Sequence, residues 1–321
     1  MHIDKISAVR EGESTMIAMI DYHLYLMRVV LCFNKDPLIE RKESRYSYRP
    51  WGYDKFNYTL GYKDKGSCRS YKFLRFIDKH YSPLRYQFSW YEIYDFDSSS
   101  WKTLDVTPHW RIQFSQRGVS LKGNTYWPAS QRNMEEDVLD DQIICFDFTS
   151  ESFGPLLPLP FYAENNDDVT LSCVIREDKL AVLFTHDEEG PREFEIWITT
   201  KIETEKVLWS KFLRVEETDL YPLITCDSFL IDKEKKVAMC VEEDYCKTFN
   251  IVGEAGTLKK KLKLVERLGG EIHCKAKVCS YVSSLVKIKQ PAPGRKRKQQ
   301  SDLERQRYDQ NMSKLVSLGD A

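Results

Sequence analysis

Four charged or glycine-containing turns, centred on Gly66, Gly123, Asp178 and Glu234, follow one another at steps of 57, 55 and 56 residues. Each lies inside an alternating apolar stretch: YTLGYKDKGSCRSYKFLRF, GVSLKGNTYW, LSCVIREDKLAVLF and SFLIDKEKKVAMCV. Alternation around a polar turn is the pattern of a β-hairpin. A second series of hairpins interleaves with the first. IYDFDSSSW (Ile93 to Trp101) and CFDFTSESF (Cys145 to Phe153) align without a gap, their closing aromatics 52 residues apart. EIWITTKIETEKVLW (Glu195 to Trp209) and a weaker KTFNIVGEAGTLKKKLKL (Lys247 to Leu264) continue that series. Two hairpins per unit of roughly 50 residues make four strands per unit, the arithmetic of a propeller-type blade.

This period says more about the fold than any single motif. A four-stranded sheet has two faces and hides neither by itself, whereas units stacked radially bury both. Tyr94, Phe96, Trp101, Phe146, Phe148, Phe153, Trp197 and Trp209 recur at strand positions and suit the spaces between units. An irregular β-sandwich would tolerate the same alternation without requiring the steady spacing. The expected fold is therefore all-β, a propeller-type repeat with about four units between Phe56 and Leu264 and a short polar C-terminal tail. STMIAMIDYHLYLMRVV (Ser14 to Val30) reads as a hairpin turning near Asp21, and KVCSYVSSLVKIKQ (Lys277 to Gln290) as a strand pair. Both are candidates for strands that close the ring.

The division expected from sequence is a short N-terminal segment, 1–45, a β domain, 46–264, and a C-terminal extension with a basic tail, 265–321. DPLIERKESRYSYRPWGY reads as linker, because Pro37 and Pro50 hinder ladder bonding. SQRNMEEDVLDDQ (Ser130 to Gln142) reads as an exposed acidic loop, and GPLLPLPF (Gly154 to Phe161) as a stiff extended connection. DLERQRYDQNMSKL in the tail suits a short helix starting at Asp302.

Charge is nearly balanced, with 48 Lys and Arg against 49 Asp and Glu, so no global field favours nucleic acid or an anionic membrane. The most apolar window, MIAMIDYHLYLMRVVLCF, is broken by Asp21, His23 and Arg28 and does not suit a bilayer. MHIDKISAVREGES has no signal-peptide core. Nine cysteines without a CxxC then read as thiols of a reducing compartment, cytoplasm and/or nucleus. GRKRKQQ, with its basic run Arg295 to Lys298, suits either a solubilising tail or a nuclear-import tag. It lacks the broad basic face with interleaved aromatics that nucleic-acid binding wants.

Catalytic and metal patterns are missing from the sequence. Neither GxGxxG, GxxxxGK[ST] nor GxSxG occurs. Glu135, Glu136, Asp137, Asp140 and Asp141, and likewise Asp187, Glu188 and Glu189, fall in expected loops and read as solvated charge. His273, Cys274 and Cys279 lack a fourth ligand at zinc spacing. The other histidines (His2, His23, His80, His109, His186) are scattered singly. Asp95 and Asp147 stand at equivalent places in the two aligned phrases. Their expected role is structural, accepting backbone N–H groups to fix a turn. No catalytic, cofactor-binding or metal site is assigned, and the chain is not expected to be an enzyme.

The run GVSLKGNTYWPAS, DQIICFDFTSESFGPLLPLPF, VTLSCVIREDKLAVLF and FEIWITTKIETEKVLWSKFLRV, preceded by LGYKDKGSCRSYKFLRF and YEIYDFDSSSWKTLDVTPHW, resembles the F-box associated interaction domain of plant F-box proteins. The resemblance covers Arg45 to Glu217 and continues more weakly toward the tail. It implies a kelch-like propeller that binds proteins. In such families an N-terminal F-box docks to the Skp adaptor of an SCF-type ubiquitin ligase, and the β domain presents a target for ubiquitin transfer by other subunits. Residues 1–45 carry no Leu-Pro pair or Trp of the F-box kind, and the family's Trp-Asn-Pro strand pair before an RYSYRP-like segment is missing. Expectations that follow are an unknown target protein as partner, adaptor and cullin only where an F-box is present, and an incomplete ring. Alternatives are a decoy or decayed copy without adaptor docking and, from another class, a propeller enzyme or lectin. Trp110, Tyr126, Trp127 and Tyr162 are the candidate surface anchors for a partner.

Overall fold

A computed structural model describes residues 13–20, 23–30, 277–280 and 309–310, together with 57–263 apart from 67–68, 80–87, 99, 113–116, 133–141, 163–167, 176, 187–192, 217–225, 243–247 and 254–257. Its strands fall into the units that the period predicts. β1 (Glu13–Ile20) and β2 (His23–Val30) form an antiparallel hairpin, Ile20 opposite His23. β3 (Asn57–Asp64), β4 (Arg69–Lys79), β5 (Phe88–Asp95) and β6 (Ser100–Leu104) make the first four-stranded sheet, in chain order.

The second unit is less regular. β7 (Trp110–Arg111) and β8 (Val119–Leu121) pair with β9 (Asn124–Gln131), which pairs with β10 (Gln142–Asp147). β11 (Ser152–Phe153) and β12 (Leu157–Pro158) share the outer side of β10. The proline-rich stretch thus touches the sheet at one two-residue strand, with Pro158 on its edge, where a missing N–H costs little. β9 also extends further than expected, taking Ser130 and Gln131 out of the acidic loop.

β13 (Asp168–Cys173), β14 (Leu180–His186), β15 (Glu193–Ile202) and β16 (Val207–Glu216) form the third unit. β17 (Cys226–Asp232), β18 (Val237–Glu242), β19 (Thr248–Gly253) and β20 (Leu258–Lys263) form the fourth. β21 (Lys277–Ser280) then pairs with β1, Ile17 opposite Cys279, so strands from the two ends of the sequence share one sheet. The linker reading of 36–53 lies outside the described residues. Within the expected tail helix only Asp309 and Gln310 are described, and they are helical.

Successive units meet at dry seams. Leu74, Phe76, Tyr91 and Ile93 of the first unit pack against Trp127, Ile144, Phe146 and Phe148 of the second. Leu121 and Ile143 of the second share a core with Leu171, Val182 and Phe184 of the third. Leu183, Ile196 and Val215 of the third meet Phe229, Ile231 and Val252 of the fourth. The first strands of consecutive units, β3, β8, β13, β17 and β21, run side by side in that order. This is the sequence of inner strands expected of a propeller arc.

Polar contacts bind the same seams near the inner strands. Tyr62 N–H donates to the Gly123 carbonyl at 3.0 Å, and Ile175 N–H to the Ile231 carbonyl at 2.8 Å. The buried hydroxyls of Thr59 and Thr125 are 2.8 Å apart. Gly61 is required by this closeness: a Cβ there would lie 2.1 Å from the Phe148 ring and 2.4 Å from the Gly123 carbonyl.

Candidate protein-interaction surface

In a sheet whose strands run up and down in order, the first and third turns lie at one end and the second at the other. The connection to the next sheet also leaves from that other end. The two rims of this arc are therefore built from different kinds of chain. Within the four units β3–β6, β8–β11, β13–β16 and β17–β20, one rim joins strand ends across two to six residues, through 65–68, 122–123, 174–179 and 233–236 in the first hairpins and 96–99, 148–151, 203–206 and 254–257 in the second. The opposite rim joins strand ends across five to ten residues, through 80–87, 132–141, 187–192 and 243–247, and from it leave the crossings 105–118, 159–167 and 217–225.

The tight-turn rim is fixed by local chemistry. Asp95 Oδ1 accepts the N–H groups of Asp97 and Ser98 at 2.7 and 3.1 Å, and Asp147 Oδ1 accepts Thr149 N–H at 2.7 Å. Ser98 and Ser100 hydroxyls are 2.8 Å apart, as are those of Ser150 and Ser152. The structural reading of both aspartates is thus correct. Lys122 and Gly123 both take positive φ, 52° and 86°, giving the two-residue turn whose twist matches a hairpin. Charges on the rim are neighbour to neighbour: Lys233 approaches Glu177 of the preceding unit at 3.6 Å, and Lys122 approaches Asp178 of the following one at 3.8 Å. The amine of Lys179 donates to Glu177 at 2.6 Å, and that bond holds the Glu177 carboxyl below the usual range.

Glu151, at φ 54° in the second aligned phrase, reaches back across the seam. It pairs with the buried Lys72 amine and with Lys102, the latter at 2.8 Å, while Asp95 stands 3.6 Å from Lys72 on the other side. Burial pushes the Glu151 carboxyl upward, but the hydrogen bonds from Lys102 and Lys72 outweigh it and leave the carboxyl below its ordinary value.

Beneath the long-connection rim lies a second buried pair. Asp78, at the end of β4, has a fully buried side chain that accepts from the Arg132 guanidinium at the end of β9 and from Ile112 N–H at 3.1 Å. Arg132 also donates through Nε to the Trp110 carbonyl at 3.1 Å, and its N–H to the His109 carbonyl at 2.9 Å. Burial, then the Asp78 charge, raises the neighbouring Tyr91 phenol well above its ordinary range. This constellation anchors the base of the rim. An ion pair so placed fixes geometry rather than performing chemistry.

Of the expected anchors, three are corrected. Trp110 and Trp127 are 2% exposed and Tyr126 8%, because all three face seams. Trp110 packs edge-on to Tyr91, and Trp127 to Phe76. Aromatics in a short hairpin of a half-buried sheet look alike from sequence whichever face they occupy. Tyr162 alone stands out, 90% exposed, one residue beyond Phe161, whose ring stacks on Phe184 at 3.8 Å. Asp78, Arg132, Lys72 and Glu151 were missed. The available signal was Asp78 itself, a lone acid on the apolar face of KFLRFIDK.

Among the described residues, no group of three metal-type side chains comes together, and no helix is long and apolar enough to cross a membrane. Of the expected faint metal group only Cys279 is described, on β21, and the acidic clusters at 135–141 and 187–189 lie outside the described residues. Cys145 is an inert thiol: burial raises it to about 12, against a hydrogen bond with Tyr126 that acts to lower it.

A family model described as the F-box associated beta propeller domain matches residues 38–288. An Arabidopsis thaliana F-box protein, At2g38590, is 44% identical over 374 aligned positions, covering 97% of this chain and 86% of the relative. The F-box/kelch-repeat protein At4g33290 of the same plant is also 44% identical, over 97% of this chain and 85% of its own length. A putative F-box protein, At5g41500, reaches 48% identity over 99% of this chain and 87% of the relative.

Proposed function

The chain belongs to the F-box associated β-propeller family, whose members are protein-interaction modules of F-box proteins, and from that premise we propose that it is a target receptor of an SCF-type ubiquitin ligase. Its long-connection rim grips the target, and the opposite rim serves as scaffold. The work done is binding and presentation. The ubiquitin transfer itself belongs to other subunits.

The observation that carries this reading is the difference between the rims. Function gathers on loops held by a rigid frame. Here one rim is tied down turn by turn, while the longer connections within and between these four units leave from the other. Their charges differ too. The connections 80–87, 132–141, 187–192 and 243–247 and the crossings 105–118, 159–167 and 217–225 hold fifteen Asp and Glu against six Lys and Arg, whereas the tight turns hold eight of each. A target with a basic surface would be steered to the acidic rim, and salt would slow its arrival. Tyr162, an exposed aromatic on one of the crossings at that rim, suits an anchor at the contact.

The test is affinity purification of the full tagged chain from plant cells, with mass spectrometry scoring both Skp adaptor and targets. Replacing 187–192 with a Gly-Ser linker is expected to deplete targets, and replacing 203–206 to leave them. Adaptor recovery without any target, or equal loss from both replacements, would overturn the assignment of the rim. Targets recovered without adaptor would favour occupancy without ligase assembly. We place the protein in cytoplasm and/or nucleus, with Arg295 to Lys298 as an import tag. A fluorescent fusion whose nuclear share is unchanged by Ala substitution of that run would remove the tag.

A further inference from the structure

The relatives carry sequence that this chain lacks. Alignments of 374, 369 and 368 positions exceed its 321 residues, so at least 53, 48 and 47 aligned positions face no residue here. The shortfall is close to one repeat of the hairpin series.

Features of the first unit place the missing one ahead of β3. In the third and fourth units, inner-strand side chains facing the preceding unit are buried: Val169 and Leu171 are 6% and 8% exposed, Phe229 and Ile231 fully buried. On β3 the corresponding face shows Leu60 at 40% and Tyr58 at 47%. The aligned phrases differ in the same sense. Phe146 and Phe148 are fully buried against the unit before them, whereas Tyr94, Phe96 and Trp101 are only half-buried. Finally, β21 packs beside β17 at the far end of the series and, among the described residues, does not return to β3 as the other inner strands meet their neighbours.

The arc therefore has two ends of complementary kind. One is a sheet face bearing rings that elsewhere rest on the preceding unit. The other is the terminal sheet β2–β1–β21, which no further sheet follows among the described residues. A ring one unit short could join its own ends only by opening its other seams. Those are closed to the point where Gly61 leaves no room for a Cβ beside Phe148. A second copy supplies the missing face without that distortion, in a head-to-tail contact.

We propose that this chain self-associates, the β3–β6 face bearing Leu60, Phe73, Tyr94 and Trp101 receiving the terminal sheet of a second copy. Sedimentation velocity and light scattering on the full chain test it, with Leu60→Glu as the variant. At 40% exposure, Leu60 can be replaced without disturbing a seam, and unchanged circular dichroism checks that. The expected result is a mass of at least twice 37.8 kDa for the unmodified chain and 37.8 kDa for Leu60→Glu at the same concentration. A chain carrying a relative's extra segment between residues 30 and 57 is expected to be monomeric, because the face is then filled from within. An unmodified chain that stays at 37.8 kDa up to its solubility limit would overturn the proposal. So would an assembly that Leu60→Glu leaves intact.

Discussion

The phrases at 93–101 and 145–153 make the same hairpin and meet different fates. In both, an Asp caps the turn and paired serines follow it. In both, the central ring lies edge-on to the next aromatic: Tyr94 to Phe96 at 5.1 Å and 88°, Phe146 to Phe148 at 4.9 Å and 81°. Even the closing ring matches, with Trp101 5.2 Å from Tyr94 and Phe153 4.9 Å from Phe146. Yet the second phrase is sealed against the preceding unit, and the first is half open. Local sequence writes the hairpin, and the neighbour decides what its rings contribute to stability.

Truncation should expose that difference most sharply. Phe148→Ala removes a fully buried ring and is expected to cost about 3–5 kcal/mol, whereas Phe96→Ala, half-buried, should cost about 1–2. Urea unfolding of the two variants measures both, and equal losses would mean that the phrases share one environment. Asp78→Ala should rival the larger value, about 3–5 kcal/mol, because it leaves the Arg132 charge buried without its carboxylate. Next comes the close approach itself. Gly61→Ala must displace Phe148 or the Gly123 backbone and should cost about 1–3 kcal/mol. A Cβ on Gly154, just after β11, meets nothing nearer than 3.8 Å, so Gly154→Ala should be nearly neutral.

Much of this was legible in the sequence. The period, the turn centres, the role of Asp95 and Asp147 and the hairpin near Asp21 follow from alternation and turn chemistry, which are local. Which face a ring takes is not local. Trp110, Tyr126 and Trp127 read as surface anchors because a strand alternates between two faces and a propeller buries both, so exposure cannot be read from alternation alone. The clasp of Asp78 with Arg132 joins residues 54 apart in two units, and no spacing rule links them. Pairing of β1 with β21 likewise joins strands from the two ends of the sequence and is written in neither strand alone.

Smaller effects sharpen the comparison at the turns. Glu151 has a folded-state pKa below its ordinary value, so its contribution is present above the unfolded-state pKa near 4.3 and is lost as pH falls through the lower folded value. Glu151→Gln should therefore flatten the acid limb of a stability-versus-pH curve, and the first phrase, which has Ser at that place, should offer no matching effect. Smallest of all is the exposed Lys122–Asp178 pair, whose removal should change stability by less than about 0.5 kcal/mol.

The account rests on successive hairpin pairs packing as neighbouring blades, and a disulfide across one seam tests that most directly. Thr59 and Thr125 belong to different units 66 residues apart, yet their hydroxyls are 2.8 Å from each other in a buried site. In the Thr59→Cys, Thr125→Cys double variant, mild oxidation should join the two positions, detected as a linked peptide pair by non-reducing mass spectrometry. Thiols that stay free while the chain remains folded would contradict the blade order from which everything else follows.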